Sequence, residues 1–333
     1  MMRLPKMDYQ APVTMSEACA LMSEYGKEAK LLAGGTDLVV ACKLRNLKPR
    51  MLVSLGAIPA LRGVRFDEKV GLRIGAMTNL STLHHDPQVA KHYPALAEAA
   101  AAVGATQLQH MGTLGGNLCL ETRCMYYNQS DSWRKARAVC LKMGGDVCHV
   151  VTKGKKCYAA FSGDTAPALM SLGAELKLVS SAGERTLSLS GFYTGDGKDP
   201  LAIRPDEILE EIRISPPAGK EGSTYLKYRV RGAIDFPLAG VAVRLAAADG
   251  LCGDCAVVVG AVASAPRLVP AAGELLKGKP LTGELIGQAA HEAAHAAQPV
   301  VNVCGATPTY RRQITEIMAR RALTALARNL ALM

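Results

Sequence analysis

The chain is poor in aromatic residues: one Trp, four Phe and ten Tyr make up 5% of 333 residues. Readers of single-stranded nucleic acid need stacking platforms interleaved with basic residues, and no such interleaving or DNA-reading motif occurs here. Nucleic acid is therefore not an expected partner, although Lys plus Arg (39) exceed Asp plus Glu (29) by ten. Long apolar runs are missing too. Cys255 to Ala265, among the longest, is about half of the ~20 residues that a membrane span requires, and Met1 to Pro12 lacks an uninterrupted apolar core with a cleavage site. The expectation is a cytoplasmic protein with no membrane partner. In a reducing compartment its ten cysteines are not expected to form structural disulfides, so a metal, a cluster or plain burial must account for them. The sequence also lacks G-x-G-x-x-G, G-x-x-x-x-G-K-[ST] and G-x-S-x-G, which removes the Rossmann, P-loop and nucleophile-elbow readings.

What remains is a folded composition, 49% hydrophobic and 20% charged, in a chain about twice the ~150-residue prior for one domain, so two domains are expected. Thr14 to Glu17 has capping-box spacing and opens a helix, Ala18 to Tyr25, that stops at Gly26. Ala29 to Leu32, Leu52 to Leu55 and Leu72 to Ile74 read as short strands, and the alanine-rich Tyr93 to Val103 as a helix. Strands are expected again at Glu175 to Val179 and Ile208 to Ile214. Paired prolines and nearby glycines from Pro216 to Gly222 mark a linker. Beyond it, Thr224 to Val230, Ala239 to Ala246 and Cys255 to Val262 read as three strands, followed by helices at Pro270 to Leu276, Gly283 to Ala297 and Arg311 to Asn329.

Two glycine turns share a logic. Leu32-Ala33-Gly34-Gly35-Thr36-Asp37 follows a strand, and Gly112-Thr113-Leu114-Gly115-Gly116-Asn117 lies some eighty residues later. Adjacent glycines let backbone amides converge on an oxyanion without obstruction from Cβ, and a Thr hydroxyl adds a donor; loops cradle pyrophosphate this way. Together with Ile74-Gly75-Ala76-Met77-Thr78 and Asp164-Thr165-Ala166-Pro167-Ala168-Leu169, the two turns resemble those of the FAD-binding subunits of the molybdenum hydroxylase family, which includes xanthine and carbon monoxide dehydrogenases.

The resemblance implies an α+β chain: a two-subdomain FAD-binding domain of the PCMH type over 1–218, with a cysteine-rich insert at 121–158, and a C-terminal domain of the CO dehydrogenase flavoprotein type over 222–333, a three-stranded sheet with a helical bundle. Carried over by position, Leu31, Leu32, Ala33, Gly34, Gly35, Thr36, Asp37 and Leu38, with Thr113, Leu114, Gly115, Gly116 and Asn117, would wrap the pyrophosphate. Val103 would line the flavin, Asp164 would accept hydrogen bonds from the cofactor, and Lys227 would lie near it. Gln109-His110 departs from the Arg-Asn that the family often has there.

Five of the ten cysteines fall between Cys119 and Cys157, in a stretch without helical or strand periodicity. Cys124, Cys140, Cys148 and Cys157 are separated by 15, 7 and 8 residues; with no C-x-x-C pair, spacing alone specifies no metal, while density points to a metal or cluster. An insert placed directly after the second glycine turn is similar to that of the β subunits of 4-hydroxybenzoyl-CoA reductases. That likeness implies a 4Fe-4S cluster on Cys124, Cys140, Cys148 and Cys157, with Cys119 a buried spare. The implied complex is a dimer of heterotrimers, with a large molybdenum-cofactor subunit, a small 2Fe-2S subunit and a ferredoxin-like donor. This chain would pass electrons inward for reductive dehydroxylation to benzoyl-CoA and would hold no catalytic residue of its own. The insert's eight basic residues against three acidic would attract an acidic carrier or form a solvated face. A flavin subunit of an oxidative molybdenum hydroxylase and a zinc-stabilised binding protein are the alternative readings.

Other motifs compete. His291-Glu292-Ala293-Ala294-His295 is a literal H-E-x-x-H, but without a third ligand its histidines are expected to face solvent. Cys252-Gly253-Asp254-Cys255 is expected at a turn entering a strand, as reduced structural cysteines, and His84-His85-Asp86-Pro87 at a surface turn. Trp133 is expected to pack the insert.

Overall fold

The computed structural model describes residues 3–303 and 305–333. The first helix is Met15–Tyr25, capped by the Thr14 hydroxyl, which accepts from the Glu17 amide, and ended by Gly26 at φ +49°. It covers a three-stranded parallel sheet in the order β1 (Asp8–Gln10), β3 (Met51–Ser54), β2 (Ala29–Leu32). Ala18, Cys19, Val53, Ile58 and Leu61 form this subdomain's core, and β2 delivers the chain directly into the first glycine turn.

A second subdomain is built on an antiparallel five-stranded sheet, ordered β4 (Val64–Asp67), β5 (Gly71–Gly75), β8 (Ile208–Ile214), β6 (Glu175–Ser180), β7 (Gly183–Ser188). The helices Leu80–His85, Pro94–Ala102 and Thr165–Ser171 cover it. The alanine-rich face of Pro94–Ala102 is what lets elements approach closely: Ala95, Ala99 and Ala100 are fully buried. Asp86 caps the short helix Pro87–His92 through the Gln88 and Val89 amides, so the His84-His85-Asp86-Pro87 turn is a helix junction.

The C-terminal domain carries the sheet β12 (Arg267–Leu268), β11 (Leu251–Gly260), β10 (Ala239–Ala248), β9 (Glu221–Tyr228), in which three long strands gain a two-residue edge. Val241, Val243 and Leu245 of β10 point to the helices Gly283–Ala296 and Pro308–Asn329, whereas Ala242 and Val258 join the core of the second subdomain. Burial on both faces explains why 239–243 of β10 and 257–260 of β11 are continuous apolar runs, whereas β9 alternates.

Cys252 and Cys255 lie inside β11, not at a turn entering it, as sequence reading had them. The hairpin turn is Asp249-Gly250, both at positive φ (51° and 76°), and the two thiols are buried and unpaired. Among the described residues no helix is long and apolar enough to cross a membrane.

Candidate functional site

The two glycine turns meet. A Cβ on Gly34 would stand 1.8 Å from the Met111 carbonyl oxygen, so glycine at 34 is what allows this contact, and Gly116 faces Ala33, where a Cβ would make an ordinary 3.9 Å contact. Gly35 adopts φ +72°, turning the backbone back toward the helix Leu38–Lys43. The second turn is fixed by Ile74-Gly75-Ala76-Met77-Thr78: the Leu114 amide donates to the Thr78 carbonyl and the Gly115 amide to the Ala76 carbonyl, at 2.9 and 2.8 Å. Thr113 accepts from the Gly116 amide at 3.1 Å. Among the described residues no protein group accepts from the amides of Gly34, Gly35 or Thr36. Amides without protein partners, those of the half-buried Gly34 and Gly35 beside that of the exposed Thr36, converging where no Cβ intrudes, suit the pyrophosphate of FAD. Leu31, Leu32 and Leu38 frame the turn, at the end of β2 and the start of the next helix.

Asn117 ties this cradle to the next group. Its side-chain oxygen accepts from the Thr165 amide (3.1 Å) and hydroxyl (2.7 Å), which fixes Asp164 beside it. Asp164 accepts from Lys227 Nζ and from the Tyr225 hydroxyl, both at 2.8 Å, and the Asp164 and Lys227 side chains are each only 4% exposed. Burial pushes the Asp164 carboxyl up and the Lys227 ammonium down, and each charge opposes the other's shift. Lys227 also donates to the Ala102 carbonyl at 2.8 Å, next to Val103. The buried Gln109 donates to the Ala101 and Val103 carbonyls, closing the end of that helix with a neutral amide. The structure thus gathers Val103, Asp164 and Lys227 at one end of the Pro94–Ala102 helix, linked to the second turn through Asn117.

The insert contains little regular structure: the helix Asp131–Lys135 and one tight turn at Leu141–Met143. Cys124, Cys140, Cys148 and Cys157 nevertheless line one cavity, with Tyr126, Tyr127, Leu141, Val147 and Val150 supplying mainly apolar walls. Burial raises the Cys124 and Cys157 thiols, Cys157 to about 11, while the Lys142 ammonium pulls Cys157 the other way. His149, on the same wall, engages the Ala138 carbonyl through Nε2 at 2.8 Å. Among the described residues no three His, Cys, Asp or Glu side chains are grouped to hold a single metal ion. A tetrahedral zinc site, with Zn–S near 2.3 Å, would need sulfurs about 3.8 Å apart.

Cys119 stands apart: half-buried against the core of the second subdomain, with its thiol pushed up to about 12 by burial. Trp133 packs within the insert against Tyr126, with the Arg137 guanidinium 4.4 Å from its ring.

Several anchors were invisible in the sequence. Arg123 Nη2 pairs with Asp37 of the first glycine turn at 2.5 Å, and the Glu121 amide donates to the same carboxylate at 3.3 Å. Arg134, 3% exposed, reaches Asn46 and the Leu44 carbonyl just beyond that turn's helix. Lys142 is buried against Glu121. Three of the eight basic residues of the insert are therefore internal, and the exposed patch reduces to Lys135, Arg137, Lys153, Lys155 and Lys156. From the C-terminal domain, Asn302 accepts from the Met125 amide at 2.8 Å and donates to the Tyr158 carbonyl at 2.5 Å. Arg311, fully buried, holds Asn302 and the Leu238, Ala261 and Val300 carbonyls. Each anchor joins residues far apart in sequence, so no local pattern signals it. His291 and His295 are exposed, their Nε2 atoms 3.0 Å apart.

A family model described as the FAD binding domain in molybdopterin dehydrogenase matches residues 5–217, and one described as the CO dehydrogenase flavoprotein C-terminal domain matches 224–326. The medium chain of carbon monoxide dehydrogenase from Hydrogenophaga pseudoflava is 30% identical over 96% of this chain and 97% of its own. The medium subunit of nicotine 6-hydroxylase from Paenarthrobacter nicotinovorans is 28% identical over 97% and 98%. A solved structure of the Hydrogenophaga carbon monoxide dehydrogenase superposes with a TM-score of 0.80 at 29% identity, covering 98% of both chains.

Proposed function

Because this chain belongs to the family of FAD-binding medium subunits of the molybdenum hydroxylases, we propose that it is the electron-entry subunit of a reductive member of that family, one that dehydroxylates 4-hydroxybenzoyl-CoA to benzoyl-CoA. It is an oxidoreductase subunit of a complex of the carbon monoxide, xanthine and aldehyde dehydrogenase type, and FAD is its cofactor. In the proposed reading a large subunit carries the molybdenum cofactor and the substrate site, a small subunit carries 2Fe-2S clusters, and a ferredoxin-like protein is the donor.

The observation that carries the reading is the convergence of Cys124, Cys140, Cys148 and Cys157 on one cavity, in an insert bonded through Arg123 and Glu121 to the first glycine turn. These four thiolates would hold a 4Fe-4S cluster. When bound, the cluster carries one electron at a time and the flavin exchanges one or two, so the pair converts between the two kinds of carrier. The chain's own residues do the rest. Gly34 to Thr36 offer amides to the pyrophosphate, Asn117 fixes the Asp164 segment, and Lys227 with Tyr225 keeps the Asp164 carboxylate oriented as an acceptor. The five exposed cations of the insert give an acidic donor a docking surface that salt would weaken.

An anaerobic visible spectrum with iron, sulfide, zinc and flavin quantified on the same sample tests this, with reduced ferredoxin as titrant. FAD plus four irons assigned to this subunit, bleached by ferredoxin, is the expected result. FAD without iron would sink the reductive reading and leave an oxidative hydroxylase, the alternative that the named hydroxylase and dehydrogenase relatives favour. A Cys140→Ser variant tests ligation; retained iron and an unchanged cluster spectrum would remove Cys140 from the set.

A further inference from the structure

We propose that Lys142 is a positioning residue that sets the reduction potential of the cysteine cavity's cluster with a fixed positive charge, and that Glu121 moderates it. This rests on the cluster reading given above. Lys142 follows Cys140 by two residues and lines the same cavity as the four thiols. Its side chain is 4% exposed. Each proton of its ammonium has an acceptor: Glu121 Oε1 at 2.5 Å, the Thr122 hydroxyl at 2.7 Å and the Gly197 carbonyl at 2.5 Å. The Tyr127 ring centre lies 5.1 Å away.

A buried ammonium is costly, and apolar replacement of buried ion pairs is often neutral or stabilising, so folding alone gives little reason to keep one here. A redox group gives a reason. Taking up one electron adds a full negative charge to a centre already bearing four thiolates, and a nearby fixed cation stabilises that reduced form more than the oxidised one. The location is specific as well: Gly197, whose carbonyl Lys142 binds, donates its amide to the Cys157 carbonyl at 2.9 Å. On the other side the chain of contacts runs through Glu121 to Asp37 and Arg123, so the charge is tethered to the glycine turn. The remaining exposed lysines of the insert face water, where their fields are screened.

The test is an anaerobic redox titration of the purified complex followed by EPR, with iron and flavin quantified in every sample. Lys142→Met should retain iron and lower the midpoint, so that the reduced-to-oxidised ratio at a fixed potential falls about tenfold, which is 59 mV for a one-electron couple. Lys142→Arg should stay near wild type, and Glu121→Gln should move the midpoint upward. An unchanged midpoint in an iron-replete Lys142→Met variant overturns the proposal and leaves the cluster reading standing. Loss of iron from Lys142→Met and Lys142→Arg alike, or a shift of Glu121→Gln in the same direction as Lys142→Met, also overturns it by assigning these residues to building the site. A wild-type complex without iron removes the cluster reading, and this proposal with it.

Discussion

The glycine cradle and the cysteine insert lie side by side and are held in opposite ways. The cradle is backbone work: two turns contact each other through glycine, and a third segment pins one of them through main-chain hydrogen bonds. The insert has almost no ladder or helix of its own, and side chains from two other regions fasten it, Asp37 and Asn46 from the first subdomain and Asn302 from the C-terminal domain. Backbone turns tolerate few substitutions at glycine and many elsewhere. A side-chain-anchored loop tolerates most changes and fails at its anchors.

Substitutions on each side sharpen this contrast. The largest effect is expected from Gly34→Ala, whose Cβ would meet the Met111 carbonyl oxygen at 1.8 Å. A shift of two turns should cost about 3 kcal/mol or more and abolish FAD binding, as read by denaturant unfolding and flavin absorbance; a variant with full FAD occupancy would break the comparison. Asn302→Ala comes next. It leaves the Tyr158 carbonyl and an Arg311 N–H without partners, a loss of about 2 kcal/mol, and should lower the iron-to-flavin ratio while flavin stays. Equal loss of both cofactors would mean that the insert and the cradle form one cooperative unit. A smaller effect, on the order of tenfold weaker binding of an acidic electron carrier between 0.1 M and 1 M salt, is expected from the five exposed cations, and a salt-independent affinity would return them to a solvated face. Smallest is Cys119→Ala, about 1 kcal/mol with iron retained; a loss of iron would bring Cys119 into the ligand set.

The same contrast explains what the sequence revealed. The strand Ala29–Leu32, the strand Ile208–Ile214 and the helix Pro270–Leu276 were readable because each buries a face and ends on a turn residue or a cap. β4 and β7 escaped notice because they are sheet edges whose polar residues face water. Asp249-Gly250 is a two-residue hairpin signal that starts β11 just before Cys252, which puts Cys252 and Cys255 within the strand and not at a turn entering it. For the site, the glycine motifs are local and legible. Arg123 and Lys142 read only as charge in a basic stretch, because their partners, Asp37 and Gly197, lie 86 and 55 residues away.

The grip of Asn302 on the insert also orders events during synthesis. Residues 121–157 leave the ribosome well before Asn302, and Asn302 is itself held by Arg311 at the start of the last helix. Until that helix is made, the Met125 amide and the Tyr158 carbonyl lack the clamp they have in the finished protein. Closing of the C-terminal domain is thus what completes the hold on both ends of the insert, at Met125 and at Tyr158.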